Sequence, residues 1–245
     1  LAVAPAATRV VRLENEIIAV EIDPREWSVA VRDKRTQRVW ETFPTGRQLV
    51  VTNVRVVGGG LGAEFSGVYL PADAPVRLRV VLAKGAPEFS LQAALPPETR
   101  MPIWAAQLEV IPALHVGGAQ GGVVVPLGEG FLFPSQAREM PALMMQLGDG
   151  AGLTMPWAGV ADMESGAAAM WFTRDEDDAL ARLYWHEATG RDGVRRAGNA
   201  VKLSWMSQKG RWGYDRTVRY WFADKGGYVA LAKRYRREAQ ETGKF

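Results

Sequence analysis

The sequence predicts an all-β protein, two packed antiparallel sheets or a barrel, followed by one C-terminal helix. Three observations carry this reading. Short apolar runs with period-two alternation recur through residues 8–222. Clusters of Gly, Pro, Asp and Asn separate them, within a total of 26 Gly and 14 Pro. No helical stripe intervenes before Gly226, which argues against a βαβ protein, because parallel strands need crossover connections.

The elements follow in order. Ile18, Val20 and Ile22 share one face of a first run, and Trp27, Val29 and Val31 repeat the pattern. Asp33-Lys34-Arg35-Thr36 is a polar turn into Arg38-Val39-Trp40-Glu41. Further strand-like runs are 48–57, 62–69, 76–83, 88–94, 103–111, 122–126, 143–147, 167–173, 180–186, 200–206 and 213–222. Gly226 to Phe245 reads as a helix, with Tyr228, Leu231, Ala232, Tyr235 and Ala239 on one stripe and Lys233, Arg234, Arg236 and Arg237 elsewhere. Tyr228 and Leu231 are expected to dock on the sandwich, with the end past Tyr235 frayed or held by another chain. The division is thus a β-sandwich over 1–225 and a helix or linker over 226–245, where the chain looks cut at a domain junction.

At 245 residues and 47% hydrophobic content, a single domain can bury about three quarters of its unfolded surface without staples. The chain has no Cys, which excludes disulfide frameworks, thiolate metal sites and Cys nucleophiles. Its two histidines, His115 and His186, exclude a His-rich metal centre. No cofactor motif is present. The charge of +3 arises from 30 basic and 27 acidic residues, a near balance without the concentrated basic patch of a nucleic-acid binder. No apolar run reaches the ~18 residues of a membrane span. The small apolar start Leu1-Ala2-Val3-Ala4-Pro5-Ala6-Ala7 suits either a mature exported protein or an arbitrary boundary.

Several stretches bear on function. Gly58-Gly59-Gly60-Leu61-Gly62 lacks the following helix, Lys and Ser or Thr of a phosphate loop and reads as a hairpin. Glu129 sits between Gly128 and Gly130, where a carboxylate can meet a sugar hydroxyl or cap a turn. Met155-Pro156-Trp157-Ala158-Gly159-Val160-Ala161-Asp162 reads as a Pro/Gly-bounded loop presenting an aromatic face beside an acid. A sugar ring needs such a face plus acceptors for its hydroxyls, so Glu129, Trp157 and Asp162 are the candidate substrate-binding residues; the competing reading makes Trp157 a plug in the end of the sandwich. Asp175-Glu176-Asp177-Asp178 clusters carboxylates that could hold calcium, but lacks the glycine and spacing of an EF-hand loop. His115 is read in a turn and His186 at a strand end, neither with a nearby Ser–Asp partnership.

Taken in order, Pro126-Leu127-Gly128-Glu129-Gly130, Met155 to Asp162, Thr173-Arg174-Asp175-Glu176-Asp177-Asp178-Ala179, and Arg219-Tyr220-Trp221-Phe222 leading into Gly226 to Arg236 resemble one family. So do Glu14 to Val20 and Val31 to Thr36, ending at Trp40. They resemble the N-terminal β-sandwich domain of large bacterial glycoside hydrolases of the endo-α-N-acetylgalactosaminidase-like type. The resemblance implies an antiparallel galactose-mutarotase-like supersandwich, whose helix leads into a (β/α)8 barrel of the same polypeptide. The barrel would carry the catalytic carboxylates, so no catalytic residue is assigned within these 245 residues. It also implies a carbohydrate partner and a secreted or periplasmic bacterial location. On this reading the chain braces the barrel and lends Glu129, Trp157 and Asp162 to its mouth. The alternatives are a free-standing carbohydrate-binding module and an enzyme of mutarotase or lyase type, for which a His and a Glu in a concave sheet would be the mark.

Overall fold

Alternation builds the sheets. In the strand Ala74–Leu82, residues Ala74, Val76, Leu78, Val80 and Leu82 are buried while Pro75, Arg77 and Arg79 face water. The structure is a computed structural model and describes residues 9–43, 48–101, 107–108, 112–147, 152–175, 177–189, 193–207 and 210–243. Its first strands are β1 (Val11–Glu14), β2 (Ile18–Asp23), β3 (Ser28–Asp33), β4 (Val39–Phe43), β5 (Leu49–Val57), β6 (Gly62–Tyr69), β7 (Ala74–Leu82), β8 (Glu88–Ala94) and β9 (Gln107–Leu108). There follow β10 (Ala113–His115), β11 (Gly121–Val125), β12 (Phe131–Pro134), β13 (Leu143–Gln146), β14 (Trp157–Asp162), β15 (Ala168–Thr173), β16 (Ala179–Thr189), β17 (Arg195–Met206) and β18 (Arg216–Ala223). One helix, α1 (Gly227–Glu241), ends the described chain.

The strands form two antiparallel sheets. Sheet 1 runs β1-β2-β3-β4-β10-β17-β16-β13, with β9 also on β17; sheet 2 runs β12-β11-β14-β15-β18-β8-β7-β6-β5. The fold is therefore all-β, an antiparallel sandwich with a C-terminal helix. Most of the expected 103–111 run lies outside the described residues. Two local expectations are corrected. The Met155–Asp162 loop is in large part strand β14, hydrogen-bonded between β11 and β15. His115 stands in β10 rather than in a turn.

The core lies between the sheets. The Trp27 ring meets Phe65 edge-on at 5.2 Å, and Phe89 stacks on Tyr220 at 4.7 Å. Trp27 takes φ 49° while almost wholly buried. That conformation is costly for a bulky residue and persists only because packing over-determines it.

A second apolar cluster lies on the outer face of sheet 2. There Leu231, Tyr235 and Ala239 of α1 cover Trp157, Ala168, Met170 and Phe172. The helix lies close because Gly159 has no side chain: a Cβ there would stand 2.8 Å from Leu231 Cδ1 and 2.5 Å from the Ala169 carbonyl oxygen. This corrects the expected docking contacts. Leu231, Tyr235 and Ala239 are buried, whereas Tyr228 is 46% exposed, and the helix continues to Glu241 instead of fraying past Tyr235. An ionic cluster fastens the same interface. Glu238 is nearly buried and accepts from Arg174 at 2.7 Å and Arg219 at 3.2 Å, while Arg234 reaches Glu88 at 2.7 Å.

Candidate functional site

Glu129, Trp157 and Asp162 do not converge. In the pairing of β11 with β14, Gly121 lies opposite Asp162 and Val124 opposite Gly159. Asp162 is thus at one end of the pair, and the β11–β12 hairpin carrying Glu129 is at the other. Five residues at ~3.4 Å rise put about 15 Å or more between the two acids. Glu129 is exposed at the hairpin tip. Trp157 is 3% exposed, beneath α1 and 6.2 Å from the Tyr235 ring. It is core, and offers no face to a sugar.

Asp162 is a structural tie between the sheets. It accepts from Arg38 of the β3–β4 connection and from Ser165 Oγ at 2.9 Å, as well as from the Glu164 amide at 3.0 Å. Burial alone would raise its carboxyl; the hydrogen bonds from Arg38, Ser165 and the Glu164 amide outweigh this and hold it below the ordinary value. The acidic turn is likewise engaged inward. Asp175 accepts the Thr217 amide at 2.6 Å. Asp178 accepts from Tyr214 at 2.8 Å and from the buried Arg216 at 2.5 Å, whose guanidinium stacks on Trp212. Glu176 lies outside the described residues. Among the described residues no group of three His, Asp or Glu is placed to hold a metal ion.

A depression of mixed polar and apolar lining lies instead on the outer face of sheet 1. Parity decides what points there. In β17, Val201, Leu203 and Trp205 enter the core, so Arg196, Ala200 and Lys202 face out. Across the ladder, Tyr184 sits opposite Ala200, His186 opposite Gly198 and Ala188 opposite Arg196. His115 pairs with Ala200, Ala113 with Phe43, and Ala30 with Glu41. The result is a small depression whose lining includes Glu26, Ala30, Glu41, Phe43, His115 and Arg196. A neighbouring depression shares Glu41, His115 and Arg196.

The site has a definite electrostatic order. The Phe43 ring lies 4.6 Å from His115 and 4.3 Å from His186. His115 is 7% exposed, and its Nδ1 has no hydrogen-bond partner among the described residues. Burial pushes its pKa down to about 4, against a hydrogen bond to the Asn199 backbone, so the ring is neutral at pH 7. Burial, and then the charge of Lys202, also lowers His186. Arg196 Nε donates to Glu41 at 3.0 Å. The ring of His115 fits because Gly198 is bare: a Cβ there would lie 2.8 Å from His115 Cε1. Sequence reading missed this site because its residues come from β3, β4, β10, β16 and β17. The one available signal was the pairing of a His with a Glu in a sheet, weighed only as the mark of a mutarotase.

No protein-family model matches the sequence, and no curated protein does. Solved structures do match. The α-N-acetylgalactosaminidase NagBb from Bifidobacterium bifidum superposes with a TM-score of 0.74 at 14% identity, over 95% of this chain and 39% of that one. The GH36 α-galactosidase AgaA from Geobacillus stearothermophilus gives a TM-score of 0.54 at 11% identity, over 89% and 41%. A TPR-domain containing protein from Parabacteroides distasonis gives 0.59 at 10% identity, over 89% and 47%. At these identities the likeness is one of fold. The chain spans about two fifths of the length of either glycoside hydrolase.

Proposed function

We propose that this chain is the non-catalytic β-sandwich part of a larger carbohydrate-active glycoside hydrolase, bracing a (β/α)8 catalytic barrel of the same polypeptide. The observation that carries the reading is the lopsided match to NagBb: 95% of this chain against 39% of that enzyme. Of the three residues Glu129, Trp157 and Asp162, Glu129 keeps a barrel-facing role, because it alone stands exposed on a hairpin tip. A secreted or periplasmic bacterial location belongs to the same proposal.

A mutarotase or lyase acting alone is the weaker reading. General acid–base catalysis wants a pKa near the working pH. His115 lies at about 4, and Glu41 is engaged by Arg196. The test is the coding sequence past Phe245, joined to an assay. An alternating strand–helix segment of barrel length should follow, and the extended protein should cleave aryl α-N-acetylgalactosaminides or α-galactosides that the 245-residue chain leaves intact. An extension without such a pattern, or turnover by the 245 residues alone, would end the proposal.

A further inference from the structure

The edges of the two sheets are guarded unequally. An edge strand has unpaired amides that invite further pairing, and charges or bulges ordinarily guard it. β1 carries Arg12 and Glu14, both facing water. β5 carries Arg55 and a bulge between Val51 and Asn53. β12, Phe131-Leu132-Phe133-Pro134, and β13, Leu143-Met144-Met145-Gln146, carry no charge. β1 lies against β6, and β17 against β11 and β14. The sheets therefore stack in the same sense, and the two uncharged edges share one side of the sandwich.

On β12 the apolar side chains are also uncovered, and the register sets where they point. Phe131 pairs with Val125 and Leu132 with Val124. Val125 belongs to the core between the sheets, Val124 to the cluster under α1. Phe131 thus extends the core face past the edge, stacked on Phe133 at 5.7 Å, and Leu132 extends the outer face. Leu132, Val124, Gly159 and Met170 form one row across sheet 2. Leu231 of α1 sits over that row at Gly159, but its end at the sheet edge is bare. Phe131 is 51% and Leu132 45% exposed.

The course of α1 identifies the occupant. The helix begins with the Gly227 amide on the Gly166 carbonyl, at one end of sheet 2. Further on, Tyr235 lies beside Trp157 and Glu238 accepts from Arg174. That is the other end of the sheet, where the Thr154 amide donates to the Pro126 carbonyl and β11 passes into the hairpin carrying Glu129. Phe131 is the first residue of β12 after that hairpin. On the reading of this chain as the sandwich part of a longer hydrolase, the polypeptide after α1 departs toward the bare edge. Two large side chains are too few for association of free copies, which needs ~1,200–2,000 Å² of buried surface. A tethered domain needs less, because a short tether gives it a local concentration on the order of millimolar.

We infer that the start of β12, Phe131 and Leu132 beside the 127–130 tip, is the docking surface for the domain that follows α1 in the same polypeptide. That domain sets an apolar patch on the two side chains and polar groups around Glu129. The inference rests on the proposed function and adds to it which edge of the sandwich meets the barrel.

Hydroxyl-radical footprinting read by mass spectrometry tests it, on the 245-residue chain and on the protein extended through the coding sequence past Phe245. Oxidation of Phe131 and Leu132 should fall several-fold in the extended protein, while Val56 and Val194, exposed elsewhere, keep their rates. Phe131→Ser should return the Leu132 rate toward that of the 245-residue chain; Leu132→Ala makes the same comparison through Phe131. Equal rates at Phe131 and Leu132 in the two proteins, with a strand–helix extension present, would overturn the docking surface and leave the hydrolase-domain reading intact. A dimer of the 245-residue chain in light scattering that Phe131→Ser abolishes would overturn it too, giving the edge to a second copy. A coding sequence without a barrel-length extension would remove both readings.

Discussion

A buried neutral imidazole leaves a signature in stability. The folded pKa of His115 is about 4 against an ordinary value of 6.5, so between those values the unfolded chain binds more protons than the folded one. Stability is therefore full above pH 6.5 and falls as the pH drops toward 4, by at most about 3 kcal/mol from this residue. Urea unfolding from pH 7.5 to 4.5 should show that slope. His115→Phe should flatten most of it, leaving a smaller slope of the same sign from His186, which burial also lowers. Trp157 poses the opposite test, of packing without ligand contact. Trp157→Ala should cost about 3–5 kcal/mol, as core Trp truncations do. Near-parent stability would return Trp157 to the surface. The sequence misled at this residue for a physical reason. Pro156 and Gly159 look like turn punctuation. Here Pro156 stands just before the strand begins, where a missing N–H is tolerated, and Gly159 is small because Leu231 of the helix sits where its side chain would be.

Among the elements, α1 was the most legible and the least correctly seated. Its stripe through Leu231, Tyr235 and Ala239 is the buried one. Tyr228 shares the stripe but not the burial, because the first turn lies at the sheet's rim, where the Gly227 amide is pinned to the Gly166 carbonyl in the β14–β15 turn. The strand runs were read from the same kind of periodicity, and β5 to β8 match it to within two residues at either end. β14 was lost because all but Asp162 of its residues are buried on both faces, which erases the alternation on which the reading depends. Seating predicts cost. Leu231→Ala should destabilise by about 3 kcal/mol or more, and Gly159→Val should dislodge the helix, seen as rapid amide exchange from Leu231 to Ala239 with the sheets still protected. The ionic cluster adds a pH dependence. Burial would raise the Glu238 carboxyl, but Arg174, Arg219 and Arg234 bring it below its ordinary value. Its contribution is therefore complete above the ordinary carboxylate range and is lost as pH falls through the lowered value. Glu238→Gln should be less stable at pH 7 and less sensitive to acid than the parent. Parallel acid unfolding curves for the two would show that the cluster is only a surface pairing.

For the whole molecule, the sheet assignment and the pairing of the described carboxylates belong to one argument. Hydrolysis by two carboxylates requires them roughly 5–10 Å apart across a bound glycosidic oxygen, with one kept protonated. The acids with defined geometry here are committed elsewhere: Asp162 to Arg38, Asp178 to Arg216, Glu238 to three arginines and Glu41 to Arg196. Among the described residues Asp175 is the one carboxyl raised, by burial first, and it accepts the Thr217 amide of β18, in the sheet opposite the outer-face cleft. A carboxylate bound to a guanidinium is stabilised as the anion and serves poorly as a general acid. Two-state unfolding with the far-UV dichroism of a β-protein is expected of the isolated 245 residues, because their core is continuous across both sheets. In the same preparation, cleavage of p-nitrophenyl α-N-acetylgalactosaminide and α-galactoside should stay at the rate of buffer from pH 4 to pH 8. Two variants decide what any residual rate means. Asp175→Asn removes the raised carboxyl and Glu41→Gln removes the acid of the outer-face cleft that Arg196 engages. A rate above buffer that either one abolishes would give the sandwich a chemistry of its own and overturn its proposed non-catalytic role.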